Sequence, residues 1–242
     1  MTQIPGEIGV LSGLETLSFN DNFVSGTLPN EVFTLPGLKM ASFASNRFYG
    51  SLPAELKSAT SLEVLEVNGN QLSGSIVTEI GQATLLTELN LASNIFDGEL
   101  PTEIFKLTNL VYLNFESNMR ITGRIPTEFG LFTDLRQLVM SNTNIRARIP
   151  TDYGLLKSLE DLRIANSQVG GAIPMVLGSL VKLTHLDLSG SKFRQSLPET
   201  LGDLSGLRKY GFVPDLTLNW RSILKHTNLF PLQPCFLKDI WR

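Results

Sequence analysis

The sequence predicts an α/β repeat: a right-handed curved solenoid with a parallel sheet on its concave side and short helical or 3-10 turns on its convex side. Three observations predict it. A leucine recurs at Leu14, Leu38, Leu62, Leu86, Leu110, Leu135, Leu159, Leu183 and Leu207, in steps of 24 residues except for the 25 between Leu110 and Leu135. Each recurrence opens a short alternation of apolar and polar residues. Most of these units then pass through a proline and an acidic residue before the next leucine. Units that repeat at this period bury their apolar faces against each other rather than alone, so they stack in one dimension.

The strand comes first in each unit. In "LTELNLASN", Leu86, Leu89 and Leu91 fall on one side and Glu88 and Asn90 on the other. Alternation this short is a half-buried strand. One such strand per unit must stack in parallel, centred on Leu17, Ala41, Leu65, Leu89, Leu113, Leu138, Leu162 and Leu186. The next element is a bend. It carries an amide at Asn22, Asn46, Asn70, Asn94 and Asn118, replaced by Thr143, Ser167 and Ser191 in the last three complete units. A buried amide has donors and an acceptor for backbone groups that a bend removes from the strand ladder. These eight positions are therefore predicted to form a structural ladder, changed in character where a shorter hydroxyl takes over. The turn closes the unit: proline at its start and Glu79, Glu103, Glu128 or Asp152 in its first turn suit the helix dipole.

The motif so assembled, LxxLxLxxN followed by xLSGxIP and xEIGxLxx, resembles the plant-type leucine-rich repeat. "LEVLEVNGNQLSGSIVTEIGQATL" and "LTHLDLSGSKFRQSLPETLGDLSG" carry the resemblance. It covers residues 14–206 as eight repeats, with a partial repeat at 1–13 and a divergent repeat and tail at 207–242. It implies a second, short sheet at the xLSGxIP stretch. It also implies kinship with ectodomains of receptor-like kinases and receptor-like proteins, and with polygalacturonase inhibitors. Departures are local. The glycine before the proline becomes Ala147 and Gln195, which is tolerable only where the backbone does not need positive φ, and one proline becomes Val77. The extra residue within Asn118–Gly123 is expected to bulge the turn after the fifth strand. The paired cysteines of the family's N-terminal cap are absent, so Ile4, Ile8 and Leu11 are expected to leave an apolar end partly uncovered and open to self-association. The tail reads as a makeshift cap or as the product of a truncated reading frame.

Composition narrows the function classes. The chain has 242 residues, a net charge of −3 and 18% charged residues, which gives no electrostatic case for nucleic acid. No apolar run is long enough for a membrane span. The start lacks a basic region followed by a long apolar one, so no signal peptide is expected in the chain as it stands. One cysteine, Cys235, excludes an internal disulfide, and there is no N-x-S/T sequon. These features favour a cytoplasmic chain; the repeat style favours an extracellular or cell-surface one if a parent protein supplies a signal peptide.

Catalytic chemistry is not specified, so no enzyme, cofactor or metal is expected. His185, with Asp161 and Asp187 beside it, has no fourth ligand or nucleophile and reads as charge pairing on a strand face, Asp161 with His185 and Arg163 with Asp187. His226 and the tail's Arg221, Lys225, Lys238 and Arg242, interleaved with Trp220 and Trp241, read as a packed or solvated terminus. The expected function is non-catalytic recognition of a protein, peptide or glycan on the outward half of the concave strands: Val64, Glu66, Asn68, Glu88, Asn90, Tyr112, Asn114, Glu116, Gln137, Asp161, Arg163, His185 and Asp187. Tyr112 is the expected anchor. The alternatives are an intracellular scaffold, or a fragment of a receptor-like kinase whose catalytic domain lies elsewhere.

Overall fold

The computed structural model describes residues 3–194 and 196–211. Gln195 and the tail residues singled out above lie outside them. Among the described residues, one all-parallel sheet takes a strand from each unit in sequence order: Thr16–Ser18, Met40–Ser42, Val64–Glu66, Glu88–Asn90, Tyr112–Asn114, Gln137–Val139, Asp161–Arg163, His185–Asp187 and Lys209–Gly211. The eight complete units are centred where the alternation predicts. The last strand shows that unit nine keeps register to Gly211. Leu89, Leu91, Leu113 and Leu138 are fully buried, within one continuous core that runs from Ile4 to Leu207. Phenylalanines fill its wider parts, as where Phe129 meets Tyr153 edge-on at 6.0 Å.

Every convex turn is a five-residue 3-10 helix, and each begins after a proline except Thr78–Gln82, which begins after Val77. Val77 adopts φ −70°, the value proline would fix, so the substitution costs no geometry.

The asparagine ladder is explicit. Asn94 Nδ2 donates to the carbonyls of Val67, Leu91 and Ala92 at 2.9, 3.2 and 3.1 Å, and its Oδ1 accepts from Leu72 N at 3.0 Å. Asn46, Asn70 and Asn118 repeat this pattern, although Asn70 is only half-buried. Asn22 departs from the expectation. It is exposed and donates only within its own unit, to Phe19 O and Asn20 O, because no described strand precedes its own. In the hydroxyl units, Thr143 Oγ1 donates to Met140 O at 2.9 Å. Ser167 and Ser191 lie 3.0 Å apart and share Ile164 O. A hydroxyl has one proton against the amide's two, so these positions serve one carbonyl where an asparagine Nδ2 reaches three.

The residue just before the ladder position holds a left-handed backbone in every unit: Asp21, Ser45, Gly69, Ser93, Ser117, Asn142, Asn166 and Gly190 all have φ between 50° and 68°. That rank explains why only small or Asx residues occur there. A second left-handed rank runs through the glycines of the xLSGxIP stretch, and Ala147 occupies it at φ 87°. The backbone does need positive φ at this site, so the alanine is strained. Ala147→Gly is expected to stabilise the fold by about 1 kcal/mol, read as a higher urea midpoint with unchanged slope; an unchanged or lower midpoint would show that the alanine carries no strain.

The second sheet forms in two pieces. Five strands pair from Ser25–Gly26 to Arg120–Ile121 and three from Arg146–Ala147 to Lys192–Phe193, with a lone bridge from Arg124 to Arg146 between them. The break falls at the extra residue of unit five, where Ile121 N turns back to Asn118 O. At the N-terminal end, Ile4 is buried and Ile8 half-buried. Leu11 is 50% exposed and Val10 77%, beside a depression of about 380 Å³ floored by Phe19 and Val24.

Candidate functional site

Strand pairing sets the rows of the concave face. One row runs Val64, Glu88, Tyr112, Gln137, Asp161 and His185; the next runs Glu66, Asn90, Asn114, Val139, Arg163 and Asp187. Asn68 and Glu116 lie two residues further along their own chain segments. Glu66, Glu88 and Glu116 therefore stand in three different rows, so their fields add diagonally rather than along a line.

The face is organised about its middle. Tyr112 is half-buried and its hydroxyl accepts from Asn114 Nδ2 at 2.8 Å; Asn114 Oδ1 in turn accepts from Glu116 N at 2.9 Å. Burial, together with Glu116 and Glu66, holds the phenol above its usual pKa, against the opposing pull of Asn114 and Arg163. Val139 is buried, which leaves a gap in the second row between Asn114 and Arg163.

Two expected pairings differ. Asp161 lies on the outward side with Arg163 but is buried. It pairs with Arg163 two residues on, Nε to Oδ1 at 2.9 Å and Nη2 to Oδ2 at 2.6 Å. The fork geometry of arginine allows this within one strand, because residues two apart share a face. Asp161 therefore fixes the orientation of Arg163. That bond, with Glu116 and Asp187 nearby, holds the guanidinium above its usual pKa. His185 Nδ1 lies 2.9 Å from the Thr184 hydroxyl, and Asp187 accepts from the backbone and hydroxyl of Ser189 at 3.0 and 2.7 Å. The carboxylates expected beside His185 are thus engaged elsewhere.

Sequence reasoning missed the rim. Asn166 Nδ2 donates to Asn142 Oδ1 at 3.1 Å, and Asn142 Nδ2 reaches Glu116 Oε1 at 3.4 Å, which joins three units in one polar chain. The signal was the recurrence of Asn142 and Asn166 just before the ladder position. The Ser42 hydroxyl lies 2.5 Å from Glu66 Oε2 and 2.6 Å from Asn20 Oδ1, and its single proton can serve only one of them.

The family model described as Leucine Rich Repeat matches residues 61–83, 85–107 and 182–204. The structure superposes on the ectodomain of the Arabidopsis receptor kinase HAESA in complex with an IDA peptide hormone ligand, with a TM-score of 0.82 and 30% identity over 90% of this chain and 36% of that one. These are leucine-rich repeats of the plant type. A plant peptide hormone receptor, RGFR1, in complex with RGF2 is similar to the repeat protein at a TM-score of 0.81 and 30% identity, over 85% of this chain and 33% of that one. A plant ice-binding protein is similar at 0.78 and 26%, over 89% and 69%. The repeat protein thus spans about a third of the length of the two receptor chains. No curated protein matches it. Among its described residues, no helix is long and apolar enough to cross a membrane.

Proposed function

We propose that the chain is a non-catalytic recognition module of the receptor-ectodomain kind, and that it binds a peptide segment of a protein across the middle of its concave face. The observation that carries this is the Tyr112 arrangement. A half-buried ring is propped by Asn114, flanked by Glu88 in its own row and Glu116 beyond, and faced by an arginine whose orientation Asp161 fixes. Rings held at few rotamers by their neighbours lose little entropy on contact, and aromatic and arginine side chains dominate interface energies. Carboxylates at Glu66, Glu88 and Glu116 favour a basic or hydroxyl-rich segment. The peptide complexes of the two similar receptors support a peptide over a glycan. Binding at a cell surface belongs to the same reading, since one of those structures is a receptor kinase ectodomain and the other a peptide hormone receptor.

The test starts with a random peptide library selected on the immobilised chain, followed by calorimetric titration of the selected peptide. Tyr112→Ala is expected to weaken it about 30-fold, as the loss of a hot-spot aromatic does. Glu66→Lys together with Glu88→Lys is expected to weaken a basic peptide to a similar degree. Urea midpoints of both variants should barely move. Unchanged affinity in both would move the site off this face.

A further inference from the structure

The flank of the solenoid carries a charge pattern that the concave face does not use. In the second-sheet stretches 119–126, 144–150, 168–174 and 192–198 there are six cations, Arg120, Arg124, Arg146, Arg148, Lys192 and Arg194, and no Asp or Glu. The corresponding stretches of the earlier units, 23–29, 47–53, 71–77 and 95–101, hold one cation, Arg47, and two acids, Asp97 and Glu99. In a chain of net charge −3 this is a marked segregation. All six cations are exposed, and among the described residues no ion pair reaches them.

The fold brings them onto one face. Ile145, Val169 and Phe193 are buried, so alternation turns Arg146, Lys192 and Arg194 outward, while Gly170 is buried against the Lys192 backbone. Register sets Arg124 beside Arg146, Arg146 beside Gln168, and Gly170 beside Lys192. Arg120 pairs in register with Asp97, and Glu99 and Glu128 border the hollow between Arg124 and Arg146, so the acid-free part begins at Arg146. There the middle strand contributes the exposed Gln168, beside Arg146, and the short Gly170 and Ala172 between the Arg146–Arg148 pair and the Lys192–Arg194 pair. At the usual strand spacing the backbones of these pairs stand about 10 Å apart.

We infer that this face binds a linear polysaccharide carrying sulfate esters, with the chain laid across the middle strand beside Gln168 and successive sulfates held by the two cation pairs. Cations gathered without counter-charge repel each other, and a tetrahedral oxyanion has enough terminal oxygens to accept from two of them at once. A planar carboxylate fork matches one guanidinium at a time. The spacing of the pairs is close to the advance of one disaccharide. Single-stranded nucleic acid fits less well, because none of the four stretches exposes an aromatic ring on which bases could stack.

The experiment titrates the whole chain with dextran sulfate, and in parallel with unsulfated dextran, polygalacturonate and an oligothymidylate. Dextran sulfate is expected to bind, with affinity that falls as salt rises, and the other three to bind about tenfold more weakly or not at all. Arg146→Glu with Arg148→Glu is expected to weaken dextran sulfate by about tenfold or more. Lys57→Glu with Lys106→Glu, the same charge change on the convex turns, should have little effect. If the double glutamate lowers the urea midpoint, Arg146→Gln with Arg148→Gln replaces it. Equal binding by the flank and convex variants overturns the site. Polygalacturonate or oligothymidylate binding as tightly as dextran sulfate overturns the sulfate assignment. Tyr112→Ala is expected to leave dextran sulfate binding unchanged, which keeps this result separate from the concave reading.

Discussion

Gly178→Ala is expected to lower stability by about 3 kcal/mol, at the upper end for an added methyl group in a packed site. Gly178 sits in the convex turn Met175–Ser179, which packs on the turn Glu199–Asp203. A Cβ there would clash with backbone of the neighbouring unit, at Thr200 O and Thr200 C. Backbone cannot rotate aside as a side chain can, so the two turns must separate. The units above and below are held by the strand ladder, and separation on the convex side therefore strains the core between them. Gly37→Ala is the control: a Cβ there meets nothing within 4 Å and φ is not in the left-handed region. It is expected to change stability by less than about 0.5 kcal/mol. Urea midpoints of the two variants measure the difference. If Gly178→Ala melts with the native chain, the turns are free to slide and their close approach is not a constraint.

Asn94→Ala is expected to cost about 3 kcal/mol, because it strips partners from buried backbone groups in three neighbouring segments. Leu72 N loses the Asn94 acceptor, and the carbonyls of Val67, Leu91 and Ala92 lose a donor each. Asn90→Ala, four residues earlier and half-exposed, removes one long contact to Ala92 N at 3.3 Å and should cost about 0.5 kcal/mol or less. Asn22→Ala should cost about as little, since Asn22 bonds only within its own unit. The order Asn94 far above Asn90 and Asn22 is what equilibrium unfolding must reproduce. Equal costs would mean that water replaces the Asn94 amide and that the ladder is not a source of stability.

Much of this molecule was legible in its residues. The period of the leucines fixes the number of units, and alternation within "LTELNL" fixes which side chains enter the core. The asparagine recurrence locates a buried bend because backbone polar groups that leave a ladder must find partners, whatever the fold around them. These inferences depend on chemistry within a unit, and a unit's chemistry is written in consecutive residues. The same is true of the outward position of Tyr112, and of Val77 standing in for proline.

What the tertiary structure decided concerns distances between units. Asp161 was expected to be exposed and paired with His185; it is buried and clasps Arg163, because the arginine can reach back along its own strand. Ala147 was judged by the absence of a glycine, and only the packed turn reveals that its backbone stays left-handed. One extra residue near Asn118 divides the second sheet, which the residue count predicts as a bulge but not as a break. The polar chain from Asn166 through Asn142 to Glu116 joins residues 24 and 26 positions apart. A repeat states what each unit must do with its own backbone and core; contacts across units depend on stacking distance and register, which arise only when all the units are packed together.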